Sequence, residues 1–165
     1  MIDQLYQPVP GQPFRQLVGQ TGTANSFLSD NQPAPEWQST LSATFNHGPL
    51  SITGQLRYVS DGSVNYLGIT CPAGSTSATC VAPAGGNTYD LNSVSSYTLA
   101  NLSGSYSFDN MFGTKTLQIF GAISNLFDKD PPLAAGASPN GNGGTNPVFF
   151  DTMGRSYRLG LRVAF

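Results

Sequence analysis

The stretch SYRLGLRVAF, residues 156–165, decides the fold. Its apolar side chains fall on every second position, Tyr157, Leu159, Leu161, Val163 and Phe165, with Arg158, Gly160, Arg162 and Ala164 between them. A period of two is the period of a β-strand, whose successive side chains point to opposite faces of its sheet. Such a strand has one apolar and one polar face, and the two need different surroundings. Terminal residues of a soluble domain usually fray, so this regular pattern predicts a strand used to its last residue.

The same period recurs four times upstream. In EWQSTLSATFN (36–46), Trp37, Leu41, Ala43 and Phe45 alternate with Gln38, Thr40, Ser42 and Thr44. In LSITGQLRYVS (50–60), Leu50, Ile52, Leu56 and Tyr58 oppose Ser51, Thr53, Gln55 and Arg57. SSYTLANLSGSYSF (95–108) sets Ala100, Leu102, Tyr106 and Phe108 against Asn101, Ser103, Ser105 and Ser107. KTLQIFGAISNLF (115–127) is more mixed, with Leu117, Ile119, Ile123 and Phe127 opposite Gln118, Phe120, Ala122 and Ser124. Each segment runs roughly ten residues or a little more. Soluble strands have a mode of about 5–6 residues, whereas a tilted strand crossing a bilayer needs about 9–11.

Composition agrees with one-sided strands. Only 10% of the 165 residues are charged, against about 25% in ordinary soluble proteins. Yet mean hydropathy is −0.15, because Ser, Thr, Asn, Gln and Gly supply neutral polarity. The net charge of −2 gives no basic footprint for nucleic acid. No sustained apolar repeat at i, i+3, i+4, i+7 predicts a helix, and no run reaches the roughly 18 apolar residues of a spanning one. The opening MIDQLYQPVPGQPF lacks the basic start and apolar run of a signal peptide, so any export signal is expected upstream.

Connections between the five segments alternate in length. NHGP (46–49) and DNMFGT (109–114) are tight, whereas residues 61–95 and 128–150 are long. Short turns at one end and long loops at the other is the layout of an outer-membrane barrel, with the short turns in the periplasm. The second and fourth segments then rise, and the first, third and fifth descend.

ISNLFDKDPP (123–132), a Gly/Asn-rich loop, and FFDTMGRSYRLGLRVAF (149–165) together resemble the C-terminal end of TonB-dependent outer-membrane receptors. In that family the penultimate strand closes on an Asn-Leu-Phe-Asp run, and a Gly-Arg pair precedes a last strand ending in Phe. APEWQSTLSATFNHGPLSITGQLRYVSD (34–61) is similar to a hairpin further upstream in the same barrels. The resemblance covers most of residues 34–165. It implies an all-β fold, an antiparallel transmembrane β-barrel segment of about five strands and thus an incomplete barrel. Whole receptors have roughly 22 strands around a plugged lumen. It also implies residence in the cell outer membrane and no enzymatic activity. Energised by an inner-membrane TonB complex, which this segment would meet only through a plug domain it lacks, such barrels import siderophore-like, cobalamin or glycan ligands from outside the cell. Residues 1–35 are then expected to be a poorly ordered remnant of an extracellular loop, and residues 36–165 the C-terminal part of the barrel.

In a barrel wall, every backbone N–H and C=O must pair within the protein, and one face of each strand meets hydrocarbon. The alternation assigns Leu41, Phe45, Ile52, Leu56, Leu102, Tyr106, Leu117, Ile119, Leu159, Leu161 and Val163 to lipid, and Gln55, Arg57, Gln118, Arg158 and Arg162 to the lumen or plug. A Lys or Arg facing lipid at mid-depth costs about 2–4 kcal/mol, and this phase places none there. Trp37, Tyr58, Tyr97 and Phe127 are expected near the outer strand ends, and Phe45, Phe108 and Phe165 near the inner ends. The resemblance further implies that Tyr157, Leu161, Val163 and Phe165 form the signal read by the outer-membrane assembly machinery.

Cys71 and Cys80 bracket PAGSTSAT and are expected to form a surface disulfide, the alternative being two free thiols. Asp128, Asp130 and Asp151 flank the last long loop and read as solvated carboxylates rather than a calcium site. GASPNGNGGTNP (136–147) precedes no helix, so it reads as a mobile surface loop and not a phosphate cradle. His47 stands in a tight turn with no nucleophile in a credible arrangement, and no catalytic, cofactor-binding or metal residue is assigned. Two other classes share the pattern: a secreted β-sandwich that binds glycans or another protein, and a smaller outer-membrane porin.

Overall fold

In the computed structural model, the described residues are 5–6, 10, 15–16, 18–22, 34–64, 69–71, 80–81, 88–89, 91–109, 113, 115–134 and 144–164. Among them the fold is all-β, with no helix. Five long strands dominate: β1 (Gln38–His47), β2 (Leu50–Val59), β3 (Tyr97–Asp109), β4 (Thr116–Ser124) and β5 (Ser156–Ala164). They form one sheet in sequence order, β5-β4-β3-β2-β1. Every neighbour in space is a neighbour in the chain.

The pairing is antiparallel throughout. Ile119 faces Leu161 on β5 and Tyr106 on β3, and Gly121 faces Leu159 and Gly104. Between β1 and β2, Thr44 meets Thr53 and Ser42 meets Gln55, so the indices run in opposite directions. Between β2 and β3, the Ser107 N–H donates to the Pro49 carbonyl while Asn101 reaches Gln55. Among the described residues β1 and β5 are both open edges, and the sheet does not close into a barrel.

These ladders keep the five alternations in one phase. Leu41, Phe45, Ile52, Leu56, Leu102, Tyr106, Leu117, Ile119, Leu159, Leu161 and Val163 all fall on one face; Gln55, Arg57, Gln118, Arg158 and Arg162 all fall on the other. The tight link from β1 to β2 places Gly48 at φ 55°, a left-handed conformation that glycine adopts without steric cost. Pro49 follows, where its missing N–H takes nothing from the ladder.

Phe120 is a large aromatic on the polar face of β4. It lies opposite Gly160 across the β4–β5 ladder. A Cβ built on Gly160 would run into the Phe120 ring. The ring lies over the bare backbone of β5, which explains both the aromatic residue and the glycine.

The chain divides into two compact units. One is the sheet, residues 39–58, 98–130 and 153–165; the other comprises residues 1–38, 59–97 and 131–152. The second unit holds most of the buried apolar core: Val59, Val64, Val94, Tyr97, Ala134 and Phe150. Tyr97 packs edge-to-face on Phe150 with ring centroids 5.6 Å apart. Tyr97 stands at its strand end and is there a core residue. Short ladders join Gly62–Ser63 to Ser93–Val94 and Ile69–Thr70 to Thr88–Tyr89.

The described residues before position 36 are more engaged than their composition predicts. The Gly19 N–H donates to the Ala34 carbonyl, and those of Thr21 and Gly22 to Ser63. Asn146, at the end of the glycine-rich stretch, is buried: its Nδ2 donates to the Thr21 carbonyl and its Oδ1 accepts from the Val148 N–H. Backbone pairing of this kind leaves no periodic signature in the sequence. Residues 136–143 and Phe165 lie outside the described residues.

Gly160→Ala is expected to lower stability by about 1–3 kcal/mol, as overpacking does, in denaturant melts of the chain in detergent micelles. Combining it with Phe120→Ala should recover part of that loss. Additive costs in the double variant would rule out the ring-on-backbone contact.

Candidate functional site

The apolar face is banded. Near the turn end of the sheet, Phe45 stacks on His47 at 6.3 Å and Tyr106 lies against Phe108 at 4.6 Å. Tyr58 and Tyr157 stand toward the opposite end, with Trp37 just before β1. Between them the face carries Leu41, Ala43, Ile52, Gly54, Leu56, Leu102, Gly104, Ile119, Gly121, Ile123, Leu159 and Leu161, with no charged side chain. The aliphatic side chains are largely exposed, Leu159 at 84% and Leu41 at 66%; Leu117 is half-buried.

Each such side chain left in water forgoes about 1.5–3 kcal/mol of burial. Five strands at about 4.8 Å spacing make the face roughly 24 Å wide, and a contiguous apolar patch of that extent marks an interaction surface. Strands of 10 residues extend about 34 Å, or about 24 Å in height at a 45° tilt, close to the apolar band of a barrel wall.

The opposite face is polar and internally hydrogen-bonded. Thr44 and Thr53 hydroxyls meet at 2.9 Å. A line of amides then crosses the sheet. Gln55 Nε2 donates to Ser42 Oγ at 3.4 Å, Asn101 Nδ2 donates to Gln55 Oε1 at 3.1 Å, and the Asn125 N–H donates to Asn101 Oδ1 at 3.0 Å. Gln118 Nε2 reaches Ser107 Oγ. Arg57 is half-buried on this face, and Arg158 and Arg162 are exposed.

The two motifs that carry the family resemblance meet at the end of β4. Asn125 and Asp128 both have φ 54°, in the left-handed region that Asn and Asp tolerate best. Asn125 is 1% exposed. Its Oδ1 accepts from the Lys129 N–H at 2.8 Å and its Nδ2 donates to the Lys129 carbonyl at 3.0 Å, closing the turn. Asp128 then faces Arg155. One carboxylate oxygen accepts the Arg155 backbone N–H and the other the guanidinium, both at 3.1 Å. Gly154 has φ 71°, which turns the chain so that both Arg155 groups point the same way. Asp128 thus anchors the start of β5 while its carboxylate remains exposed to solvent.

Sequence reading missed the role of Asn101 and Asn125. Asparagine in a strand and beside a turn carries no period, and the signal that could have found Asn125 was its place in the Asn-Leu-Phe-Asp run.

The disulfide expected between Cys71 and Cys80 is not formed here. Both residues are half-buried thiols, with Cys71 hydrogen-bonded to Cys80. Folding brings the sulfurs together, but joining them takes an oxidant. The hydrogen bond to Cys80, then burial, then the Cys80 charge push the Cys71 thiol up to about 11. Among the described residues no group of three or more His, Cys, Asp or Glu is gathered as a metal centre.

No protein-family model, curated protein or solved structure matches the chain. Its functional reading rests on the two faces and the motif clasp.

Asn125→Ala is expected to cost about 2–4 kcal/mol in denaturant melts, from two lost hydrogen bonds and a left-handed residue. Asn125→Gly should cost less, because it restores the backbone freedom alone. Alkylation of Cys71 by iodoacetamide should be slow at pH 8 and climb as pH approaches about 11. Cys80→Ala returns the thiol toward 9.0. It should speed the reaction at pH 8 about tenfold, a roughly hundredfold gain in thiolate being offset by about a decade of lost nucleophilicity. An unchanged rate would show that Cys80 does not hold the proton on Cys71.

Proposed function

We propose that this chain is a wall segment of an outer-membrane β-barrel, the C-terminal part of a TonB-dependent receptor. The observation that supports it is the banded face: aromatic, aliphatic, aromatic, free of charge, and exposed along all five strands. Acyl chains cover such a face without demanding any polar partner, and the aromatic rows sit at the two head-group levels. The opposite face meets water or a plug, which its satisfied amides and three arginines suit. Among the described residues, no second layer covers the apolar face, as a sandwich would require.

Within the whole receptor this segment is a passive part of the wall. Energised uptake of a siderophore-like, cobalamin or glycan ligand would belong to the complete barrel, its plug and the TonB complex. The last strand, through Tyr157, Leu161, Val163 and Phe165, is the part the outer-membrane assembly machinery reads. The Asp128–Arg155 clasp fixes where that strand begins.

Nitroxide scanning tests this reading. With Cys71 and Cys80 changed to serine, single labels are placed from residue 157 to residue 163 and the chain is reconstituted in phosphatidylethanolamine/phosphatidylglycerol vesicles. Collisions with oxygen should peak at 157, 159, 161 and 163, and collisions with a nickel chelate at 158, 160 and 162. A flat profile, or protection of the odd positions from both reagents, would replace the barrel wall with a soluble packed sheet.

A further inference from the structure

β5 pairs with β4 from Ser156 to Ala164 and with nothing on its other side among the described residues. Its outer edge presents backbone N–H and C=O groups ready to take another strand. The polar face beside that edge carries Arg158 and Arg162, four residues apart. Across the ladder they face Ala122 and Gln118, neither charged. The Asp128–Arg155 ion pair at the start of β5 uses neither of them. Asp109, the carboxylate of the polar face, sits opposite Thr116 at the far end of β4. With neutral neighbours on β4, the position within the sheet from which carboxylates could face the two arginines is the open side of β5.

We infer that the open edge of β5 docks an antiparallel strand from a segment outside this sheet, carrying two carboxylates four residues apart opposite Arg158 and Arg162. The ladder that joins β4 to β5 continues onto it. Its other face carries apolar side chains beside Leu159 and Leu161, because a strand one residue out of phase would put its acids on the apolar side. Opposite charges directly across a ladder stabilise pairing, and like charges oppose it.

A second copy of this chain does not fit the edge. This step rests on the membrane reading, under which all copies place their long connections on the same side. β1 and β5 are the first and fifth strands of a meander and run the same way, so β1 of another copy would lie parallel to β5. Its polar side, Gln38, Thr40, Ser42, Thr44 and Asn46, also brings no carboxylate. β5 against β5 would need one copy inverted. It follows that an all-antiparallel barrel closes from β5 round to β1 only through an odd number of further strands.

The probe is a synthetic ten-residue peptide alternating Thr and Val, with Glu at two Thr positions four apart; the comparator carries Lys there. Binding to the full chain in detergent micelles is read by fluorescence anisotropy, and a photo-cross-linker on the peptide locates the edge it takes. The Glu peptide should bind about tenfold tighter than the Lys peptide and cross-link to β5. Arg158→Glu with Arg162→Glu should invert the preference; Arg158→Gln with Arg162→Gln should abolish it, with circular dichroism confirming that the strands remain. Equal binding of both peptides, a preference indifferent to these changes, cross-linking at β1, or self-association of the chain through β5 would overturn the inference. Micelle binding needs no bilayer orientation. A Glu preference in a chain whose nitroxide profile is flat would keep the acidic strand and discard the barrel.

Discussion

A single-layer sheet has two surfaces and no interior, so each of its side chains must suit one of two environments. Here that constraint is met only because the four ladders joining the five strands share one phase. Gly121 stands between Gly104 and Leu159, and Ile119 between Tyr106 and Leu161. Slipping any ladder by one residue would move arginines among leucines on one face and leucines among amides on the other. Phase, rather than the strength of any single contact, is what makes this a molecule with two sides.

Several local devices hold that phase. Gly48 makes the first hairpin tight enough to leave β1 and β2 one register. Asn125 ends β4 in a left-handed turn, and Asp128 catches Arg155 just before β5 begins. The ion pair alone is worth little, since side chains exposed at 40% and 55% are well solvated. Its value is geometric: two oxygens gripping one backbone N–H and one guanidinium define a starting point for the last strand across a connection of more than twenty residues. Phe120 over Gly160 adds a second pin midway along the same ladder.

The distribution of apolar burial separates wall from loops. The sheet unit exposes Leu41, Leu56, Leu159 and Leu161, whereas the other unit buries Val59, Val64, Val94, Tyr97 and Phe150. That unit has an apolar core of its own, while the sheet unit buries Leu99 and Ala100 among its described apolar residues.

The sequence by itself determined the strands and their faces, because a period of two is written in consecutive residues: Leu159, Leu161 and Val163 declare one side, Arg158 and Arg162 the other. It also determined the meander, since alternating short and long links leave few other orders. Only the tertiary structure decided what joins residues far apart. The Asn101–Asn125 bond, the Asp128–Arg155 clasp, the Phe120 ring on Gly160 and the Asn146 anchor on Thr21 depend on which residues the ladders and turns bring together. Tyr97 shows the limit most directly. Its place at a strand end is legible in the sequence, but Phe150, more than fifty residues away in the chain, supplies the ring it packs against. Local pattern specifies which way a side chain points; what waits there is fixed by the rest of the chain.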